Sequence, residues 1–225
     1  MGNRVKPAKA ENHSTVKVVL TTLYISCLIV SNIIAGRQVA LPFNLVMPSA
    51  VILFPITYIL SDVFSEVYGY KWSRKTNHLG ITMNLLAVIV FAIAINAPAP
   101  SYFEGAEAYK AVLGNTPRML LASTLGLYVG DLLNDITFRK MKAKHKDSHQ
   151  RYGARAIISS VVGQLGDSLI FIPLAFYGTM PVTTMFTMTV TQATFKVMYE
   201  IVILPLSYKV VHSISAYEKR VALSK

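Results

Sequence analysis

The sequence lacks most of what a soluble enzyme or a disulfide-bonded secreted domain needs. Cys27 is the single cysteine, so the chain can form neither an intrachain disulfide nor a cysteine metal cluster. Only 15% of the 225 residues are charged, whereas 53% are hydrophobic. A soluble domain of this length is rarely so apolar, and the composition therefore predicts an integral membrane protein.

Several catalytic motifs are also absent from the sequence. It contains no Gly-rich phosphate loop, no G-x-S-x-G and no H-E-x-x-H, which argues against hydrolysis by an ATPase, serine or zinc mechanism. His145 and His149 are four residues apart but lie in a basic loop that repels cations. We therefore expect no cofactor, no metal site and no enzymatic activity.

Acidic residues are scarce, since 11 Asp and Glu stand against 22 Lys and Arg, for a formal net charge of +11. Such a charge is compatible with nucleic-acid binding, but the basic residues fall between long apolar runs and form no RNA- or DNA-binding motif. The rule that cytoplasmic loops of membrane proteins are enriched in Lys and Arg explains the charge better. We therefore expect the lipid bilayer, and no nucleic acid, as a partner.

Apolar stretches long enough to cross about 30 Å of hydrocarbon at 1.5 Å per residue occur six times. The prediction is an all-α integral membrane protein with six transmembrane helices, at 17–36, 47–69, 77–96, 116–138, 154–178 and 182–211. Residues 1–16 and 213–225 would form cytoplasmic tails on either side of one transmembrane domain, 17–212. A cytoplasmic N-terminus places 18 of the 22 Lys and Arg on the cytoplasmic side, so both termini are predicted to be cytoplasmic.

The hydropathy pattern places seven charged residues within the membrane, where a charge that faces lipid costs roughly 2.5–3.5 kcal/mol at a helix centre. They are Asp62 and Glu66 in the second span, Asp131 and Asp135 in the fourth, Asp167 in the fifth, and Lys196 and Glu200 in the sixth. Three pairs have i, i+4 spacing, which puts both members on one helix face. The depth of these charged residues in their spans predicts that they meet between the midplane and the cytoplasmic third of the membrane. A solute carrier holds its substrate in this region.

Plainer roles stay open for several of these residues. Glu66 and Asp135 lie near predicted helix ends, where they can pair with basic residues at the membrane interface. Lys196 and Glu200 can form a purely structural ion pair, and Asn32 can hold two helices together instead of binding a ligand. Tyr199 can either stack on a planar ligand or pack within the bundle.

Four strings in this order resemble the signatures of the queuosine precursor transporter family, also called the vitamin uptake transporter family. They are SNIIAGRQV, ITYILSDVFSEVYGYKWSRK, GARAIISSVVGQLGDSLIFIPLAFYG and FKVMYEIVILPLSYKVV, within residues 24–212. The resemblance implies a carrier in the inner membrane that salvages 7-deazaguanine precursors of queuosine, such as 7-cyano-7-deazaguanine, 7-aminomethyl-7-deazaguanine or queuine. Candidate substrate-binding residues are Asn32, Asp62, Glu66, Asp131, Gln164, Asp167, Lys196, Tyr199 and Glu200.

Two other functional classes remain open from the sequence. The chain could be a substrate-binding membrane subunit of an energy-coupling-factor importer, which works with a separate ATPase. It could also be an intramembrane enzyme that uses Asp62 and Asp167 as a catalytic dyad, although no protease-type motif surrounds either residue. The sequence is equally compatible with a monomer and a homodimer.

Overall fold

The computed structural model describes residues 14–144 and 152–223, and most of them are helical. The elements in chain order are α1 Thr15–Ile34, β1 Gln38–Leu41, β2 Leu45–Pro48, α2 Phe54–Glu66, α3 Tyr70–Asn96, α4 Ala106–Leu113, α5 Thr116–Lys144, α6 Tyr152–Phe176 and α7 Val182–Leu223. Most of the predicted N-terminal tail and the loop segment that carries His145 and His149 lie outside the described residues.

Five of these helical segments are long and apolar enough to cross a membrane. They are Thr15–Ile34, Ser49–Glu66, Tyr70–Asn96, Ile157–Phe176 and Val182–Val221. They coincide with the first, second, third, fifth and sixth predicted spans. Large hydrophobic side chains such as Val18, Ile93 and Val202 are exposed on them, as expected of helix surfaces that face lipid.

The fourth predicted span, 116–138, coincides with α5, but α5 is not among the five apolar segments. Arg118, Asp131, Asp135 and Arg139 all lie on this helix and lower its apolar character. The helix is confirmed by the structure, whereas a sixth membrane crossing stays a prediction.

The prediction of one continuous helix over 47–69 is wrong at its beginning. Residues 45–48 form the second strand of a small antiparallel hairpin, and a 3-10 turn, Ser49–Leu53, leads into α2. Ser49 fixes this entry, because both its backbone N–H and its hydroxyl donate to the carbonyl of Arg37, at 2.8 and 2.9 Å. The apolar run around Pro48 predicts a membrane helix. In the structure, however, Met47 and Pro48 have the extended backbone of β2, and a residue before proline favours this conformation.

The last helix continues well beyond the predicted end of its span, since residues 212–223 prolong α7. This extension contacts the turn between α2 and α3, where the Tyr68 hydroxyl donates to Glu218 at 2.7 Å. Burial, together with the neighbouring Glu218 carboxylate, raises the pKa of Tyr68, which therefore stays protonated as a donor at neutral pH. The contact ties the end of α7 to the beginning of α3.

The two ends of the bundle differ in chemistry. At one end, here called the basic end, Lys17 at the start of α1 lies 3.6 Å above the ring of Trp72, near the Tyr68–Glu218 contact. At the other, the hairpin end, an apolar cluster joins residues after α1 to α5, α6 and α7: Ala35, Ala50, Met119, Ala122, Phe171, Ile172, Ala175, Phe176, Met185 and Met188. The hairpin end is therefore packed with hydrophobic side chains.

Arg118 connects α5 with α6 at the hairpin end. Its guanidinium donates to the carbonyls of Leu174 and Tyr177, both at 2.6 Å. These carbonyls lie at the C-terminal end of α6, where a cation also interacts favourably with the helix dipole. The charge pattern predicts few basic residues on the side of the membrane where Arg118 lies. These two hydrogen bonds give Arg118 a structural role there.

We expect Arg118→Gln to lower the thermal unfolding midpoint of the detergent-purified protein. Loss of two charge-assisted hydrogen bonds at a partly exposed site should reduce stability by about 1–2 kcal/mol. Differential scanning fluorimetry checks this, with exposed Arg37→Gln as the control that removes the same charge nearby. Equal midpoints for the two variants would contradict the capping role.

Candidate functional site

A cavity of about 400 Å³, here called the central cavity, lies between the helices and gathers most of the charged residues predicted within the membrane. Four helices supply its charged side chains. Asp62 lies on α2, Asp131 on α5, Asp167 on α6, and Lys196 and Glu200 on α7. Gln164 and Tyr58 also line it. The sequence prediction that these residues converge agrees with the geometry, whereas their binding of substrate stays a prediction.

An ion pair between α6 and α7 occupies one wall of this cavity. Lys196 donates to the Oδ2 atom of Asp167, and the side chain of Lys196 is only 8% exposed. The ammonium also lies 5.4 Å from the centre of the Phe54 ring, within the range of a cation–π interaction. The pair compensates both charges, which would otherwise be costly to bury.

Glycines allow α5 to approach Asp167 closely. A Cβ atom on Gly130 would lie 2.9 Å from the Asp167 Cβ and 2.9 Å from the carbonyl oxygen of Gly163. A Cβ on Gly163 would lie 2.9 Å from the Gly130 carbonyl oxygen. Because such distances exclude a side chain, Gly130 and Gly163 form a glycine seam, which sets Asp167 against the backbone of α5.

The carboxylate of Glu200 has a neutral partner and no cation among the described contacts. The Ser160 hydroxyl lies 2.6 Å from both of its oxygens. Asp62 and Asp131 also line the central cavity without a described salt bridge. With Asp167 matched by Lys196, the described lining holds three further carboxylates, a charge pattern suited to cationic groups or to protons.

A larger cavity of about 1130 Å³, here called the vestibule, continues the central cavity toward the basic end. The two share Ser61, Asn77, Leu127, Asp131, Asn134, Ser160 and Glu200. Its other residues include Arg74 and Arg139, which lie near the basic helix ends. The carboxylates of the central cavity are thus reached from the basic end, whereas apolar packing covers the hairpin end.

Three predicted site residues lie elsewhere. Glu66 is exposed at the end of α2, and Tyr199 packs with its ring centre 6.0 Å from that of Phe195; neither lines a cavity described here. Asn32 is buried on α1, where its amide donates to the carbonyl of Thr116 at 3.3 Å. Asp135 pairs with Arg139 at 3.0 Å, which is the interfacial role that the sequence left open for it.

Sequence reasoning found Gln164 but missed most of the other uncharged polar residues that line these cavities. Ser160, Asn77 and Asn134 line the central cavity, and Gln192 and Asn84 line a smaller one beside it. A helical signal was present for Gln192, because it lies four residues before Lys196, as Lys196 does before Glu200. Among residues 14–144 and 152–223, no group of three His, Cys, Asp or Glu side chains is placed to hold a metal ion.

Comparison with known proteins decides the family. Residues 48–210 match the family described as "Putative vitamin uptake transporter", which is most of the chain. The chain belongs to this family. A relative from Bacillus subtilis (strain 168), named "Probable queuosine precursor transporter", is 25% identical over 167 residues, covering 74% of this chain and 72% of the relative. No solved structure gives a significant match.

Family membership confirms the resemblance found in the sequence and makes the chain a member of a membrane transporter family. Transport, and not catalysis, is therefore the function to which the central cavity should be related.

Proposed function

We propose that the protein is a secondary carrier that imports 7-deazaguanine precursors of queuosine across the inner membrane. The observation that carries the proposal is the central cavity, in which Asp167, Lys196 and Glu200 meet Asp62 and Asp131 between apolar helices. The relative named as a queuosine precursor transporter supports the choice of substrate class. The substrates proposed are 7-cyano-7-deazaguanine, 7-aminomethyl-7-deazaguanine and queuine.

The proposed topology has six spans and both termini in the cytoplasm. In it α5 is the additional crossing, tolerated in the membrane because Asp131 faces the central cavity and because Gly130 packs against α6. The basic end is then cytoplasmic, in accord with the Lys and Arg distribution. In this orientation the vestibule opens to the cytoplasm and the apolar cluster closes the outer side, so the conformation is inward-facing.

In the proposed binding mode Glu200 receives the donor edge of the base. A deazaguanine presents an N1–H and an exocyclic amine side by side, and one carboxylate can accept both. Glu200 suits this role because its partner, Ser160, is neutral and easily exchanged. Lys196 or Gln164 donates to the O6 atom of the base.

The remaining carboxylates, Asp62 and Asp131, have a second proposed task. In 7-aminomethyl-7-deazaguanine and queuine the substituent at position 7 carries an ammonium, which a carboxylate binds by a charge-assisted hydrogen bond. With a neutral substrate the same carboxylates can take up a coupling proton. Alternating access then requires the apolar cluster at the hairpin end to open while the vestibule closes.

The test is salvage in cells that can neither make nor import these precursors, with queuosine in transfer RNA as the readout. Expression of the wild-type chain should restore queuosine when a precursor is supplied.

We expect Glu200→Gln to lower initial uptake at least about 100-fold, since a charged acceptor of two hydrogen bonds is lost. Exposed Glu107→Gln, in α4, is the matched control and should transport normally. If Asp167→Asn and Glu200→Gln both reached the membrane and transported at the wild-type rate, the proposed site would be wrong.

A further inference from the structure

Three buried amide side chains line one small cavity next to the central cavity. This cavity, here called the amide pocket, has a volume of about 220 Å³ and is lined by Asn32 of α1, Asn84 of α3 and Gln192 of α7. Asn32 is 6% exposed, Asn84 7% and Gln192 2%. The carbonyl oxygen of each amide is buried and has no hydrogen-bond partner among the described residues.

Buried polar groups in proteins are nearly always hydrogen-bonded, and an unsatisfied one is destabilising. Three unsatisfied amides from three helices in the wall of one cavity therefore call for a shared explanation. Helix–helix contacts do not supply it, because only Asn32 has a described side-chain hydrogen bond to another helix, and its nitrogen, not its oxygen, makes that bond. A ligand with a hydrogen-bond donor would satisfy an amide carbonyl in this pocket.

The shape and position of the amide pocket limit the ligand. Its volume is below the roughly 300–1,000 Å³ typical of sites for drug-sized ligands, which suits a compact group. Aromatic rings of Tyr24, Phe54 and Phe171 form part of the wall, as for a planar heterocycle. Asp167 and Lys196 line both this pocket and the central cavity, so one ligand can occupy the two together.

We propose that the amide pocket binds the N3/N9–H edge of the free base and thereby excludes nucleosides. This inference rests on the proposed function. An Asn or Gln amide matches that edge, because its carbonyl accepts from N9–H while its NH₂ donates to N3. The adjacent N1–H edge then lies toward Glu200 in the central cavity. A nucleoside has no N9–H and therefore cannot donate to an amide carbonyl from this edge.

The first test measures the affinity of the wild-type protein, purified in detergent, by isothermal titration calorimetry. The three ligands are 7-aminomethyl-7-deazaguanine, its 9-methyl derivative and its 9-ribonucleoside. The free base should bind at least about tenfold more tightly than the 9-methyl compound and at least about 100-fold more tightly than the nucleoside. Equal affinities for the base and the 9-methyl compound would overturn the proposal. Absence of binding by all three would instead refute the proposed function.

The second test uses Asn84→Leu and Gln192→Leu, which replace an amide by an apolar side chain of similar size. We expect each to weaken binding of the free base at least about tenfold, yet to raise the thermal midpoint without ligand, because an unsatisfied buried group is removed. Thr76→Val is the matched control, since its hydroxyl is also buried and unpartnered but lines no cavity described here. Lower midpoints with unchanged affinity would show that the amides are structural and would overturn the proposal.

Discussion

Replacement of Lys196 by methionine should abolish transport. Methionine keeps much of the side-chain volume but leaves the Asp167 carboxylate without its cation. Removal of one partner from a fully buried ion pair costs about 3–5 kcal/mol, and the cost here should be smaller because the Asp167 side chain is 20% exposed. The lysine donor to the base is also lost. We therefore expect initial uptake to fall at least about 1,000-fold, from the lost donor and the altered cavity charge together.

Two further variants separate the contributions of the ion pair. Asp167→Asn combined with Lys196→Met removes both charges and should recover most of the thermal midpoint but none of the uptake. Lys209→Met removes an exposed lysine from the same helix and should behave like wild type. Uptake and thermal unfolding of all the variants, at matched membrane expression, check these results. Normal transport by Lys196→Met would contradict the role of the pair.

The largest loss of folded protein is expected from Gly163→Val, in the glycine seam. The first carbon of any side chain here would lie 2.9 Å from the Gly130 carbonyl oxygen and 3.0 Å from the Asn134 Cβ. Because both obstacles belong to or adjoin the backbone of α5, the two helices must separate, which also displaces Asp167. We expect little monodisperse protein by fluorescence-detected size-exclusion chromatography.

Gly36→Val is the matched control for the seam. A Cβ atom at Gly36 meets no atom within 4 Å, and its backbone is not in the left-handed region. The same substitution should therefore leave a monodisperse peak in this variant. A normal elution profile for Gly163→Val would show that α5 and α6 can separate without loss of the fold, contrary to the packing described here.

Hydropathy and charge spacing predict the helices and the charged half of the site well. Lys196, Asp167 and Glu200 are recognisable because ionisable residues are rare in apolar spans, and helical spacing places each on an inward face. Asn84 and Gln192 give a weaker signal, since a single amide in a membrane helix is also a common helix–helix contact. Their significance depends on three helices that meet at one pocket, which only the tertiary structure reveals.

Local sequence also fails to predict the backbone conformation where tertiary contacts determine it. Residues 45–53 are apolar enough for a membrane helix, but pairing with β1 and the hydrogen bonds from Ser49 to Arg37 hold them in a hairpin and a 3-10 turn. The polar residues after 211 are predicted to form a tail. In the structure they continue α7, and Glu218 of this extension accepts a hydrogen bond from Tyr68. Neither contact could be inferred from neighbouring residues alone.

The most direct test of the central claim is uptake of radiolabelled 7-aminomethyl-7-deazaguanine into proteoliposomes that contain this protein alone. A carrier with its own site in the central cavity should take up the base in a saturable manner without ATP, with excess unlabelled base competing and Lys196→Met inactive. Binding without uptake, with transport only after an ATPase and a coupling protein are added, would contradict the secondary-carrier account and identify the chain as an importer subunit.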